Sequence, residues 1–388
     1  MTTMKLPSVP LFEVSGSPHQ MGRMLGEQAA DLIRSMLDDY RTFMHKSSGF
    51  NWDEAVRESQ KYLPYTQAAF PQYVEEVAGI AEGAGVSFPD AWLLNCYEGV
   101  AEDQKLMACT SIGVNDDVTA DGHVYLAHNE DWISGDSKHV YLVRATPDDG
   151  PAFLAMSYGP MLCNVGMNAA GVAVGIDSVY PDDVRVGVPR VLLSRAILAA
   201  ERLSDAIRAC LPNRRAGGYN YLLADRSGEI FNIESSATDH DILYAHDGWL
   251  VHTNHYLSPR MQPIEQTGVY ASSNIRLRRA ERLLRRQVGK ITAATLQAIL
   301  RDHASKPDSI CNHEDMGDEL HDRSRTLLSL IMDLTDGMMW VAPGPPCCGE
   351  YVPHWLDSSL QEPAPAPSPR WETAVQCSAE RGRVGVRG

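Results

Sequence analysis

The chain has 388 residues, of which 44% are apolar and 22% charged, and this suits a globular protein with a substantial buried core. Its formal charge of −16 argues against a nucleic-acid partner, because a phosphate backbone is bound by a basic face. No window approaches the roughly eighteen apolar residues of a membrane span, and the N-terminus lacks the apolar stretch of a signal peptide. We therefore expect a cytoplasmic protein with no membrane partner.

The first hundred residues predict mainly helices. Ser17-Pro18 is a helix start, with a capping hydroxyl followed by proline at the first helical position. Apolar residues then recur at three-and-four spacing over 21–40. A second helix over 73–81 is followed by Gly83 and Gly85, which are stop signals, and a third is predicted to open at Ser87.

From Cys109 onward the apolar period changes towards two, which predicts strands. Short apolar runs occupy 109–114, 123–128, 139–145, 152–158, 161–167 and 172–176. Turn signals predict hairpins at Asp225–Gly228, between strands over 219–224 and 229–234, and at His246–Gly248, between strands over 241–244 and 249–253. Asp336-Gly337 marks a further turn.

Helical stretches near 189–211, 272–287 and 292–303 separate the strand groups, and this alternation predicts a layered α+β protein. We expect a helical segment over residues 1–108, a catalytic domain over 109–360, and a tail over 361–388. The tail is rich in Pro, Gly and Arg and is predicted to be disordered.

Cys109 stands at the seam between the helical segment and the strands. If the chain were cut in front of it, Cys109 would carry both a thiol nucleophile and, as its own α-amino group, a base with an ordinary pKa of about 8. A buried structural cysteine is the competing interpretation, since free Cys is among the most buried residue types.

Such a site also needs a group that holds the amine and a donor for the developing oxyanion. Asp131 is a candidate for the first and Asn254 for the second. Taken alone, each is equally typical of a turn or a cap.

Their order along the chain resembles one family, the acyl-coenzyme A:6-aminopenicillanate acyltransferases, which are N-terminal-nucleophile (Ntn) hydrolases. A more distant resemblance is to the choloylglycine hydrolases. The matching motifs are, in order, Cys109-Thr-Ser, Asn129-Glu-Asp131, Asn168-Ala-Ala-Gly171, Thr253-Asn254 and Ser272-Ser-Asn-Ile-Arg276. The front segments 14–22 and 76–85 are similar to the pro-segment of that family.

The resemblance implies a four-layer αββα sandwich with a helical pro-segment that stays bound as a small subunit. It implies that Cys109 is the nucleophile and that the cut falls between Ala108 and Cys109. Asp131 would hold the new α-amine, Asn254 would contribute to the oxyanion hole, and Arg276 would organise the charge of the site.

The chain departs from the family pattern at three positions. Ala108 stands where the family often has Gly, which reduces backbone freedom at the cut. His128 stands where the bile-salt relatives have Arg, and Asp177 lies near the place of their Asn. The predicted substrate-facing or strand-packing residues are Asn129, Trp132, Asp177 and His252.

The function predicted is cleavage of an amide bond, or transfer of its acyl group, in a small acylated amine or peptide-like metabolite, without a cofactor. An acyl-CoA-dependent N-acyltransferase is the first alternative, and an inactive binding or scaffold protein is the second. The expected partners are the small-molecule substrate and the two fragments of the chain itself, as a heterodimer or a higher oligomer.

A metal-dependent hydrolase is a further rival, because His252 and His255 flank Asn254 and Cys311 lies two residues from His313. No C-x-x-C pair and no H-E-x-x-H helix accompanies these residues, so the sequence predicts no metal site.

Overall fold

The computed structural model describes residues 8–101, 108–268, 270–320 and 322–359. The predicted disordered tail, from residue 361 onward, lies outside the described residues. The division into a small subunit, a catalytic domain and a tail stays a prediction.

Helices occupy the stretches that the apolar spacing predicts, and two further helices lie at Trp52–Ser59 and Leu63–Ala69, which the sequence analysis did not predict. One helix start is confirmed in detail. Ser17 precedes the first helix, and its hydroxyl accepts a hydrogen bond from the main-chain N–H of Gln20. In chain order the helices are α1 Pro18–Gln28, α2 Ala30–Ser48, α3 Trp52–Ser59, α4 Leu63–Ala69, α5 Pro71–Ala84, α6 Phe88–Asn95, α7 Tyr97–Val100, α8 Arg190–Leu198, α9 Leu203–Ala209, α10 Ala271–Arg285 and α11 Ala293–Leu300. Among these described helices, none is long and apolar enough to cross a membrane.

The strands form two sheets, one of eight strands in the order β1-β4-β5-β6-β7-β8-β9-β10 and one of six in the order β11-β2-β3-β12-β13-β14. Apart from the parallel pair β1–β4, the paired strands are antiparallel. The strands are β1 Leu11–Gly16, β2 Thr110–Val114, β3 Tyr125–Ile133, β4 Val140–Pro147, β5 Phe153–Tyr158, β6 Gly166–Asn168, β7 Val172–Ser178, β8 Tyr219–Asp225, β9 Ile230–Ser235, β10 His240–Tyr244, β11 Trp249–His252, β12 Ser324–Asp333, β13 Met338–Pro343 and β14 Val352–Trp355.

The two sheets pack face to face, with β2 and β3 against β7 and β8. Helices α8 and α9 cover the eight-stranded sheet, while α10 and α11 cover the six-stranded one. Small residues let the sheets approach closely: a Cβ at Gly113 would lie 2.9 Å from the Ile230 side chain across the interface. The result is a four-layer αββα sandwich, which confirms the predicted fold class.

Two local predictions need correction. The front segment is not wholly helical, because β1 pairs in parallel with β4 and forms one edge of the eight-stranded sheet. The hairpin predicted around His246–Gly248 is wrong: β10 pairs with β9 in one sheet, whereas β11 pairs with β2 in the other. The turn is present, with Gly248 at φ +76°, but it carries the chain from one sheet to the other.

Four glycines bring α1 and α5 into backbone contact. Gly22 and Gly26 face Gly79 and Gly83, so that neither helix carries a side chain at the crossing. A Cβ at Gly79 would lie 2.2 Å from the main-chain oxygen of His19. This close approach gives a physical reason for the glycine spacing of the front segments.

We predict that Gly79→Ala lowers the free energy of unfolding by about 1–3 kcal/mol, because backbone atoms of α1 cannot move aside without displacing the helix. Gly135→Ala is the matched control, since a Cβ there meets nothing within 4 Å. Thermal unfolding of the two variants beside the wild type measures the difference. An equal Tm for all three proteins would contradict the proposed helix contact.

Candidate active site

Cys109 lies immediately before β2, which is the second strand of the six-stranded sheet, between β11 and β3. The residue is buried, with 4% of its surface exposed. Side chains alternate along a strand, so Cys109 and Ser111 share the face towards the other sheet, while Thr110 faces α10. The thiol therefore lies between the two sheets.

Two side chains hold the main chain of Cys109 on either side of its Cα. Asn254, after β11, accepts a hydrogen bond from the Cys109 N–H at 2.9 Å. Arg276, in α10, donates to the Cys109 carbonyl oxygen and, at 3.0 Å, to the Thr110 hydroxyl. Arg276 also donates to the amide oxygen of Asn254 at 2.7 Å. Because a guanidinium can only donate, this bond fixes the orientation of the Asn254 amide.

The pair Ser272-Ser273 at the start of α10 explains why Asn254 and Arg276 meet at this point. Ser272 accepts from Nε of Arg276 one helical turn later, at 3.1 Å. Ser273 accepts from the Asn254 main-chain N–H at 2.8 Å and donates to the Thr253 hydroxyl at 2.9 Å. The first serine thus orients the arginine, and the second fixes the turn that carries the asparagine.

Asp131, in β3, is fully buried on the same face of the sheet as Thr110. Its Oδ1 accepts a hydrogen bond from the Thr326 hydroxyl at 2.5 Å. Its Oδ2 is buried and has no hydrogen-bond partner among the described residues. The register of β12 against β3 shifts between Thr326 and Leu328, and this bulge lies opposite Asp131 and Glu130. An unsatisfied buried carboxylate oxygen leaves a place for one more donor.

The environment of Cys109 favours the neutral thiol. Burial raises the pKa of Cys109 well above its usual range, and the nearby carboxylates Glu130, Asp131 and Asp177 raise it further. Burial also raises the pKa of Asp131, against the opposing effects of Arg276 and Thr326. A nucleophilic thiolate therefore needs a base beside it.

Glu130 is a residue of this site that the sequence analysis did not single out. Its Oε2 lies 3.9 Å from the Cys109 sulfur and 2.8 Å from Nε2 of His128, and its Oε1 accepts from the Tyr158 hydroxyl at 2.6 Å. Nδ1 of His128 lies in turn 3.0 Å from the Ser111 hydroxyl. Strand alternation was the available signal, since Glu130 shares a face with His128 but not with Asp131.

Two of the four predicted pocket residues, Trp132 and Asn129, differ in their position relative to the pocket. Trp132 lines the pocket beside Cys109, and its indole N–H donates to Asp136 at 2.8 Å. The Asn129 amide is fully buried and donates to the main-chain oxygens of Leu300 and Ile310 at 3.0 and 2.7 Å. These bonds give Asn129 the strand-packing role rather than the substrate-facing one.

Asp177 and His252 belong to a buried charge cluster. His252 Nε2 lies 2.9 Å from Glu234, and its Nδ1 lies 3.6 Å from Asp177. Burial lowers the pKa of His252, but hydrogen bonds to Asp177 and Glu234 outweigh it and raise that pKa to about 9. By contrast, burial is the main cause that lowers the pKa of His255 to about 4. His252 is thus an imidazolium paired with carboxylates, which disfavours the metal-hydrolase alternative built on these two histidines.

Two adjoining hollows lie beside the nucleophile. A small pocket is lined by Cys109 and by the aromatic side chains of Trp132, Tyr158 and Tyr219. It shares Glu98 with a larger cavity of about 560 Å³ that extends towards Arg190. A cavity of that volume is in the range of small-molecule sites.

Residues 118–346 match the family model for acyl-coenzyme A:6-aminopenicillanic acid acyl-transferase. The chain belongs to this family. It is accordingly an enzyme of the class that cleaves amide bonds or transfers acyl groups, as the sequence predicts.

Individual relatives are more distant. The chain is 23% identical over 327 residues to the acyl-coenzyme A:6-aminopenicillanic-acid-acyltransferase 40 kDa form of Emericella nidulans, covering 82% of this chain and 88% of that protein. It is 26% identical over 260 residues to the beta-alanyl-dopamine/carcinine hydrolase of Drosophila melanogaster, covering 58% of this chain and 65% of that protein.

Two solved structures align with part of the chain. A mutant of the conjugated bile acid hydrolase from Clostridium perfringens aligns with a TM-score of 0.45 and 11% identity, over 61% of this chain and 89% of that one. Penicillin V acylase from Agrobacterium tumefaciens aligns with a TM-score of 0.43 and 15% identity, over 61% and 83%.

The buried pair of His252 and Glu234 predicts a pH-dependent stability. A histidine whose folded pKa is about 9 and whose unfolded pKa is about 6.5 contributes its full stability below about pH 6.5, and loses it as the pH rises through 9. The loss is on the order of 3 kcal/mol between about pH 7 and about pH 10.

Urea unfolding across this pH range, with His252→Gln as comparison, measures the effect. We expect His252→Gln to be less stable at about pH 7, with the difference shrinking towards about pH 10. A difference that stays constant with pH would contradict the charged His252.

Proposed function

We propose that the chain is a self-processing cysteine hydrolase that cleaves an amide bond in a small acylated amine or peptide-like metabolite. Two hydrogen bonds to the main chain of Cys109 support this proposal. Asn254 accepts from the Cys109 N–H, and Arg276 donates to the Cys109 carbonyl oxygen. With both sides of the residue fixed, the position of the thiol is determined by a single side-chain torsion.

The proposed maturation is an attack by the Cys109 thiol on the carbonyl carbon of Ala108. A bond forms between the sulfur and that carbon, the Ala108–Cys109 peptide bond breaks, and the nitrogen takes up the proton that the thiol has lost. Hydrolysis of the resulting thioester leaves a carboxylate on Ala108 and a free α-amine on Cys109. The unpartnered Oδ2 of Asp131 is the acceptor we assign to that amine.

Substrate cleavage follows the same chemistry. The α-amine of Cys109 takes the proton of the thiol, the sulfur attacks the substrate carbonyl, and the leaving amine departs with that proton. Water then attacks the thioester and releases the acid. We assign stabilisation of the oxyanion to the side-chain amide of Asn254 together with a main-chain N–H. The amide nitrogen of Asn254 also donates to the Ser178 carbonyl at 3.1 Å.

Acyl transfer shares the first half of this sequence and differs only in the acceptor. One of the two relatives is an acyltransferase and the other is a hydrolase. We propose hydrolysis because water is the default acceptor unless a site excludes it. An acyl-CoA-dependent N-acyltransferase is the alternative.

The two fragments are proposed to remain together as a heterodimer after the cut. The Arg195 guanidinium of α8 forms a buried ion pair with Glu76 of α5 at 3.0 Å. Strand β1 remains paired with β4, and the core is continuous across the cleavage point. Location in the cytoplasm stays a prediction.

We predict that Arg276→Gln slows self-cleavage by at least about tenfold. The variant loses charge-assisted hydrogen bonds worth about 1.5–3 kcal/mol, and each 1.4 kcal/mol corresponds to a factor of ten. Arg278→Gln is the control and should mature normally, because Arg278 lies on the exposed side of the same helix and forms an ion pair with Glu281 at the surface. Time-resolved intact mass of both variants measures the rates, and equal rates would contradict the role of Arg276.

We further predict that the matured protein accumulates an acyl group on Cys109 when mixed with N-acylated small amines. Rapid quenching followed by intact mass should reveal the adduct, and Cys109→Ala should lack it. Repeating the reaction with a second amine present distinguishes hydrolysis from acyl transfer. Free acid as the sole product supports hydrolysis, whereas a new amide that grows with the concentration of added amine overturns it.

A further inference from the structure

Two histidines and two cysteines converge away from the proposed nucleophile. His303, Cys311 and His313 lie in the segment between α11 and β12, and Cys347 lies after β13. The Nε2 or Sγ atoms of these four side chains all lie within 4.8 Å of one another. Cys311 is buried and the other three are half-buried.

The three separations measured from Nε2 of His313 are close to those of a tetrahedral metal site. With zinc–nitrogen bonds of about 2.05 Å and zinc–sulfur bonds of about 2.3 Å, a tetrahedron places two nitrogens about 3.3 Å apart and a nitrogen and a sulfur about 3.6 Å apart. The observed separation of the His303 and His313 Nε2 atoms is 3.1 Å. The separations from His313 Nε2 to the sulfurs of Cys311 and Cys347 are 3.5 Å each.

Hydrogen bonding alone does not account for the arrangement. Nε2 of His313 has a single hydrogen or a single lone pair, yet it faces His303 Nε2 and two sulfurs at once. One such atom can serve only one of these neighbours well. A single metal ion bonded to all four atoms would satisfy every one of them.

The surrounding main chain holds the ligands in place. Asp302, next to His303, accepts two hydrogen bonds from Arg279 of α10 at 2.9 and 2.6 Å. The Cys311 N–H donates to the Asp302 carbonyl at 3.0 Å, and the His313 N–H donates to the Pro307 carbonyl at 3.1 Å. The segment is therefore folded onto itself independently of the cluster.

Arg301 brings the fourth ligand to the other three. Its guanidinium donates to the main-chain oxygens of Pro346 at 2.8 Å and Gly349 at 3.2 Å, on either side of Cys347. Arg301 follows α11 and is close in sequence to His303. Its hydrogen bonds therefore hold the turn that carries Cys347 next to the segment that carries His303.

We propose that His303, Cys311, His313 and Cys347 bind one zinc ion in a closed structural site. Two thiolates and two imidazoles form a donor set that zinc takes up in structural sites, and four protein ligands leave no position for water or substrate. The absence of a C-x-x-C pair hid this site in the sequence, because Cys347 lies 34 residues from His313 and joins it only in the fold.

A path of hydrogen bonds connects the segment of the proposed zinc site to Asp131. Asn312, between Cys311 and His313, donates through its main-chain N–H to the Thr326 hydroxyl at 3.0 Å. The same Thr326 hydroxyl donates to Asp131. A bound ion would hold the segment that positions Thr326, and through it Asp131, so zinc is expected to stabilise the catalytic sheet without touching substrate.

The metal content of the full-length protein, purified without chelator or added metal, tests the proposal independently of activity. We expect about one zinc per chain by mass spectrometry of the metal, and a lower Tm after removal by a chelator. Cobalt added to the stripped protein should give the intense bands of tetrahedral coordination together with thiolate-to-cobalt charge transfer. These measurements need no variant, so a misfolded mutant cannot obscure them.

Variants then assign the ligands. Cys347→Ser and His303→Gln should each lose the zinc. Cys210→Ser should keep it, because Cys210 is a buried free cysteine outside the cluster and its thiol donates to the Ala206 carbonyl. Protein that neither contains nor takes up zinc or cobalt would overturn the proposal. So would a peptide map that joins Cys311 to Cys347 by a disulfide.

Discussion

The buried guanidinium of Arg276 is the contact on which the geometry of the site depends. Only 2% of the residue is exposed, and it joins the carbonyl of Cys109, the hydroxyl of Thr110 and the amide of Asn254. These partners come from the start of β2 and the end of β11, which are adjacent strands of one sheet. A charge removed from water is costly unless all its donors are used, so the arginine stabilises one arrangement of the nucleophile and disfavours others.

Acidic groups dominate the rest of the site. Four carboxylates are at least 97% buried within the sandwich: Glu130, Asp131, Asp177 and Glu234. The positive charge of His252 is paired with two of them, Asp177 and Glu234. Such a cluster raises the pKa of the thiol and cannot by itself activate it. The α-amine of Cys109 that cleavage releases would add a positive charge beside the thiol, where the excess of carboxylates raises the pKa. In this account maturation supplies both the base and the charge that the uncut chain lacks.

Local patterns in the sequence predicted a layered α+β protein and most helices, because capping, apolar period and turn glycines act over a few residues. The four-layer arrangement and the role of Arg276 beside Cys109 came instead from the resemblance to the family. The hairpin at Gly248 failed because a turn residue does not specify which sheet the next strand joins. Glu130 could have been inferred from alternation along β3. The bond from Thr326 to Asp131 spans 195 residues, and no local signal marks it. The sequence shows Cys311 and His313 close together, but no local signal indicates that Cys347, 34 residues from His313, joins them.

The central claim is that the chain cuts itself in front of Cys109, and intact mass of the purified protein beside its Cys109→Ala variant tests it most directly. The account predicts two fragments for the wild type, one ending at Ala108 and one beginning at Cys109, that copurify, and a single uncut chain for the variant. A wild-type chain that remains whole while it turns over substrate would contradict the account, as would fragments that appear in both proteins.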